Sequence, residues 1–159
     1  MEKQLAQLYN KLANQVINMI PVEWEDVYFL GEVEKGRSSY STVFFYTDIN
    51  KNEKIKSNNI PETYNVSKDI YMELWMELGD ILLEIYDCFG ENGQKQWEQL
   101  SLYFNTQGKF EIEFFYDVMN ENDGGQLARE VIWAYKTFGL KPEAGTYSRR
   151  VLDEYLRKL

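Results

Sequence analysis

The chain has 159 residues, 44% of them apolar, with nine Phe, four Trp and twelve Tyr, enough material for one compact core. It has no histidine and one cysteine, which excludes Ser/His/Asp triads, Cys/His proteases, His-ligated metals and zinc knuckles, and leaves carboxylates, lysines and tyrosines as the only general bases. Its net charge of −9, from 17 basic and 26 acidic residues, argues against nucleic-acid phosphates or an anionic membrane as ligands and favours solubility or a cationic protein partner.

The first ten residues interrupt their apolar pairs with polar side chains, so no signal-peptide core is expected, and no later stretch approaches the roughly 18 apolar residues of a membrane span. With Cys88 alone and no internal disulfide possible, a soluble cytoplasmic protein is expected. Cys88 stands among Tyr86, Asp87 and Phe89 and reads as a buried packing thiol. Leu5, Leu8, Leu12, Val16 and Met19 recur at steps of three and four, predicting a helix over 3–19 that Pro21 stops. Alternation over 26–34 and a β-rich run over 40–48, joined through Lys35-Gly36-Arg37-Ser38, predict a hairpin. The polar stretch 50–59 reads as a loop that Pro61 continues.

Ser67 is a suitable N-cap and Asp69 suits the first turn of a second helix running to about Phe89, with Gly90 and Gly93 ending it. Residues 97–105 and 110–118 form a second predicted hairpin across Thr106-Gln107-Gly108-Lys109, with Leu100, Leu102, Phe104, Phe110, Ile112, Phe114 and Tyr116 toward the core. Asp123 and Gln126 have capping-box spacing ahead of a third helix through Phe138, with Gly139 just beyond it and Pro142 after. A fourth, basic helix carries Val151, Leu152, Tyr155, Leu156 and Leu159. The expected fold is one α+β domain over 1–159, with a mainly antiparallel four-stranded sheet packed with helices in the order α-β-β-α-β-β-α-α.

The second helix carries the most informative pattern. Asp69, Glu73, Glu77, Asp80, Glu84, Asp87 and Glu91 fall within an arc of roughly 80°, and no basic residue lies between Lys68 and Lys95. Like charges at this spacing cost a few tenths of a kcal/mol per pair. The stripe is either a solvated face or a surface for a cationic partner. Apolar residues occupy about 240° of the same helix, so its Met72/Met76/Leu83 flank is either buried in a second layer or exposed to a partner or second copy. On the sheet, Tyr103, Glu111, Glu113, Phe115 and Asp117 point away from the core side, with Tyr28, Leu30, Glu32 and Glu34 as possible neighbours. This aromatic and acidic mixture suits an interface, or a face covered by the C-terminal helices.

No metal and no cofactor is expected. Asp48-Ile49-Asn50-Lys51-Asn52 resembles the start of an EF-hand loop but has Glu53 where the turn glycine belongs and Asn59 where the bidentate glutamate belongs. Asp117, Glu121 and Asp123 read as turn and cap residues, while Glu111 and Glu113 lack the adjacent lysine of a magnesium nuclease. Gly124-Gly125 has no phosphate-loop lysine. Charge is uneven along the chain: residues 136–159 carry six basic and three acidic side chains, +3, against eleven and twenty-three, −12, before them. The basic helix therefore either docks on the acidic body or forms a small contact patch.

Four segments taken together resemble the YezG-like immunity proteins of Gram-positive bacteria: residues 19–28 (MIPVEWEDVY), 60–67 (IPETYNVS), 108–117 (GKFEIEFFYD) and 133–142 (WAYKTFGLKP). The resemblance implies a cytoplasmic antitoxin, not an enzyme, that binds the toxic and commonly nuclease domain of a secreted LXG-type toxin. It implies no direct nucleic-acid binding and supplies no catalytic or binding motif to carry over, and a monomer and a homodimer are both compatible with it. A carboxylate-dependent metalloenzyme and an acidic adaptor or dimerisation module are the rival classes.

Overall fold

The computed structural model describes residues 1–159 and contains two compact units, Met1–Tyr116 and Asp117–Leu159. In the first, α1 (Glu2–Met19) ends where Ile20 turns extended ahead of Pro21. β1 (Trp24–Val33) and β2 (Tyr40–Asp48) form the expected hairpin. A third strand follows, β3 (Glu53–Lys56), and then a short helix, α2 (Ile60–Tyr64). The long helix α3 (Lys68–Glu91) leads to β4 (Gln99–Asn105) and β5 (Phe110–Phe115). All pairings are antiparallel, in the spatial order β3-β2-β1-β4-β5.

The sheet therefore has five strands, not four. β3 lies inside the stretch expected to be a loop, because of its four residues only Ile55 is apolar and buried while Glu53, Lys54 and Lys56 face outward or half outward. One apolar residue gives no readable alternation. Pairing with residues 45–48 of β2, and a tight turn in which Asn52 takes φ +52°, make the strand. The other departures are local. Trp97 precedes β4 rather than starting it, and β5 stops at Phe115, short of 118. Gly90 stays helical, and Asn92 closes α3 by donating its side-chain N–H to the Cys88 carbonyl at 2.7 Å.

α1 and α3 pack against each other, and α3 also touches β1 and β2. The core between helices and sheet includes Leu12 and Val16 of α1, Leu78, Leu82 and Ile85 of α3, Phe29, Phe44, Tyr46, Leu100 and Leu102 of the strands, and Trp97. The Trp97 ring meets Tyr86 edge-on at 5.4 Å and Phe114 at 5.6 Å. At Gly31 a Cβ would collide with the Leu82 side chain, so this glycine lets α3 approach β1 closely. Phe110 and Tyr116, expected on the core side, are exposed: Phe110 is the first residue of β5 and Tyr116 lies just past its last, while Ile112 and Phe114 between them pack against the core. Cys88 is buried as a packing thiol.

In the second unit, α4 (Gln126–Phe138) and α5 (Tyr147–Arg157) pack together. Gly125, not Asp123, is the N-cap residue of α4. The Asp123 carboxylate instead accepts the N–H groups of Asn120 at 2.8 Å and Gly125 at 2.7 Å and pairs with Arg129 at 3.0 Å, so it organises the turn before the helix. Burial works to raise the Asp123 carboxyl, but these N–H groups and the guanidinium outweigh it and hold the pKa below its ordinary value. Gly139 ends α4 at φ +72°, and Thr146 caps α5 by accepting the Arg149 N–H. No helix is long and apolar enough to cross a membrane.

Candidate functional site

Ser67 starts α3 by accepting the Ile70 N–H on its side chain, and the helix then presents the acidic stripe. Asp69, Glu73, Glu77, Asp80, Glu84 and Glu91 are exposed and Asp87 is half-exposed. Two of these acids find cations on other elements. Lys11 Nζ of α1 lies 3.3 Å from Glu84, and Arg37 Nε, in the turn after β1, lies 3.1 Å from Asp87. Both pairs are solvent-exposed and contribute at most about 1 kcal/mol each. Gln15 of α1 donates one N–H to the Leu74 carbonyl at 2.9 Å and another to Glu77 at 3.3 Å. Asp69, Glu73 and Asp80 have no ion pair. The uncompensated charge is thus concentrated at positions 69 to 80.

The apolar flank divides at the same place. Met72 and Met76 are exposed, together with Ile70 and Trp75, whereas Leu83 is buried. The reason is the β1–β2 hairpin, whose Tyr40 ring lies so close to α3 that a Cβ at Gly79 would collide with it. With Arg37 reaching Asp87, the hairpin end covers the second half of α3 and leaves the first half open. Ile70, Trp75 and Tyr40 were not among the expected site residues. Ile70 is legible as one edge of the 240° apolar arc and Trp75 as a position inside it, but nothing in the sequence places Tyr40 against this helix.

The sheet set is brought together in part. The register places Tyr103 opposite Glu111, Ser101 opposite Glu113 and Gln99 opposite Phe115, with Tyr28, Leu30 and Glu32 of β1 next across the same face. This face is not one open surface. Leu30 and Glu32 are buried, and Glu32 accepts the Gln99 side-chain N–H at 2.8 Å. Tyr103 is half-buried against Tyr28, with ring centroids 4.8 Å apart, and Lys109 lies 3.3 Å from Glu111. Burial, then the nearby Asp26, raise the Tyr28 hydroxyl pKa. The accessible part is Glu111, Glu113 and Phe115 on the edge strand. Asp117 does not continue that row, because the strand has ended and its backbone turns left-handed at φ +55°, in the second unit. Glu34 also lies outside the strands, where it accepts the Ser38 hydroxyl at 3.0 Å.

The EF-hand-like segment has a different use. Asp48 accepts the N–H groups of Asn50 and Lys51 at 2.9 and 3.3 Å on one oxygen and the Tyr64 hydroxyl at 2.6 Å on the other, which fixes the β2–β3 turn to α2. No group of three or more Asp, Glu or Cys side chains converges in a metal-holding arrangement. The Tyr64 hydrogen bond chiefly, against the opposing effect of burial and with help from the Lys51 and Asn50 N–H groups, holds Asp48 below its ordinary carboxyl pKa of 3.8. A depressed folded-state pKa contributes stability above the unfolded value and loses it as pH falls through the folded one. Thermal melts of Asp48→Asn and the parent chain should therefore differ most near neutral pH and converge as pH drops below 3.8. A gap that stays constant on acidification would show that the Asp48 charge contributes nothing.

The family model described as "Immunity protein YezG-like" matches residues 5–152. The chain is 38% identical to "Immunity protein YezG" of Bacillus spizizenii over 157 residues, covering 97% of this chain and 94% of that one. It is 32% identical to "Type VII secretion system protein EsaG" of Staphylococcus aureus over 161 residues, covering 99% and 97%, and 33% identical to "Immunity protein YezG" of Bacillus subtilis over 136 residues, covering 86% and 89%. The chain belongs to the YezG-like immunity protein family.

Proposed function

We propose that the chain is a cytoplasmic antitoxin that neutralises the toxic domain of a cognate secreted LXG-type toxin by binding it stoichiometrically, without catalysis. The toxic domain is a nuclease with a basic substrate cleft, and the immunity protein itself binds no nucleic acid. The observation that carries this reading is the run of carboxylates at positions 69 to 80 of α3, which have no ion-pair partner within the chain. Such a surface complements a basic cleft and speeds its capture. Asp69, Glu73, Glu77, Asp80, Glu84 and Asp87 form this surface, and Glu111, Glu113 and Phe115 with Tyr103 are the second candidate. Residues 1–159 act together as one immunity domain, since the family match spans both compact units.

Titrating the chain into a fixed amount of a cognate toxin domain should abolish toxin activity with a sharp endpoint at a fixed molar ratio. Complete protection at far below that ratio would identify an enzyme instead. No effect at any ratio would reject immunity toward that toxin.

A further inference from the structure

The first half of α3 is unusual in what it leaves uncovered: Ile70 is 59% exposed, Met72 51%, Trp75 40% and Met76 59%, and Tyr40 beside Gly79 is 45% exposed. Met72, Trp75 and Met76, at i, i+3 and i+4, share one face of α3, and the Tyr40 ring beside Gly79 continues it, so they form a patch rather than scattered surface residues, with Ile70 on the far side of the acids. Trp, Met and Tyr are also the residue types enriched in the buried centres of protein interfaces. Helix geometry sets this patch directly against the uncompensated acids. Proceeding around α3 at about 100° per residue, Trp75, Met72 and Met76 are followed by Asp69, Asp80, Glu73 and Glu77.

Resting on the immunity reading above, we propose that Met72, Trp75, Met76 and Tyr40 form the anchoring centre of the toxin interface, and that the partner surface is an apolar recess rimmed by lysine or arginine. The two parts have separate tasks. The acids act at a distance on the approach of a cationic surface and govern the association rate, whereas the apolar row is desolvated only on contact and governs dissociation. A second copy of this chain is a poor occupant. A two-fold contact places the same patch on both copies, and when the two α3 helices meet antiparallel it brings the acidic stripe of each beside that of the other, with no lysine or arginine between residues 69 and 94 to relieve them.

The test compares the full-length parent with Trp75→Ser/Met76→Ser and with Glu73→Gln/Asp80→Asn, using as probe the purified cognate toxin domain and reading association and dissociation rates at two salt concentrations. All four positions are exposed, so unchanged melting curves are expected. The apolar variant should dissociate about tenfold faster or more with little change in association, and the acid variant should associate more slowly with a weaker salt dependence. If the parent binds and neutralises the toxin while the apolar variant keeps the parent dissociation rate, the anchoring proposal is overturned and the immunity reading survives. A parent that does not bind overturns both. If sedimentation shows a parent dimer that Trp75→Ser/Met76→Ser dissociates, the patch belongs to a second copy and the proposal fails.

Discussion

Replacing Leu78 with alanine should lower the free energy of unfolding by about 2–5 kcal/mol, because it empties a fully buried site and the surroundings relax only in part. Leu78 has no exposed surface and lies in the core with Leu82, Ile85 and the α1 side chains. At about 2–4 °C per kcal/mol for a chain of this size, the melting temperature should fall by roughly 4–20 °C. Leu74 provides the contrast. It lies one turn earlier on α3, is only half-buried at the edge of the core, and its backbone carbonyl accepts the Gln15 N–H, a bond that survives truncation of the side chain. Leu74→Ala should therefore cost less than about 2 kcal/mol. Equal losses at the two positions, measured by denaturant unfolding, would mean that the first half of α3 is as deeply packed as the second.

That contrast also marks the boundary of what the sequence discloses. Periodicity is a local property, so it discloses α1, both expected hairpins, the length of α3 and the two C-terminal helices, each to within a few residues. It also identifies the acidic stripe on one face of α3. What it cannot disclose is which neighbour arrives from far along the chain. Leu83 and Met76 both belong to the same apolar flank, yet Leu83 is in the core and Met76 is exposed, with the Tyr40 end of the β1–β2 hairpin meeting α3 at Gly79, between them. The same holds for charge: Lys11 and Arg37 are 73 and 50 residues from the acids they meet, so the stripe reads as uniform in sequence and is divided in the fold. β3 escapes notice for a different reason, since its backbone pairing with β2 is what makes it a strand and its side chains carry almost no alternation. Asp117 reads as a sheet residue only because the alternation continues in sequence two residues past the real end of β5.

Charge reversal at Glu73, Glu77, Asp80 and Glu84 should slow association with a basic toxin domain and reduce the salt dependence of the rate, while leaving the fold intact. All four carboxylates are exposed. The only contacts at stake within the chain are the Lys11 pair of Glu84 and the Gln15 hydrogen bond of Glu77, both at 3.3 Å. Loss of the exposed ion pair costs at most about 1 kcal/mol, and removing like-charge repulsion along α3 offsets part of it. The four sites should not contribute equally. Glu84 already shares its field with Lys11, so reversing it alone should change the association rate least, and Glu73 and Asp80, which have no cation nearby, should change it most. Steered association falls steeply with ionic strength, so the differences should be largest at low salt and shrink as the Debye length drops from about 10 Å at 0.1 M to about 3 Å at 1 M. If the quadruple variant stays folded and associates at the parent rate at low salt, the stripe is only a solvated face. The exposed edge-strand residues Glu111, Glu113 and Phe115 then become the next surface to test, through the association rate of Glu111→Lys/Glu113→Lys.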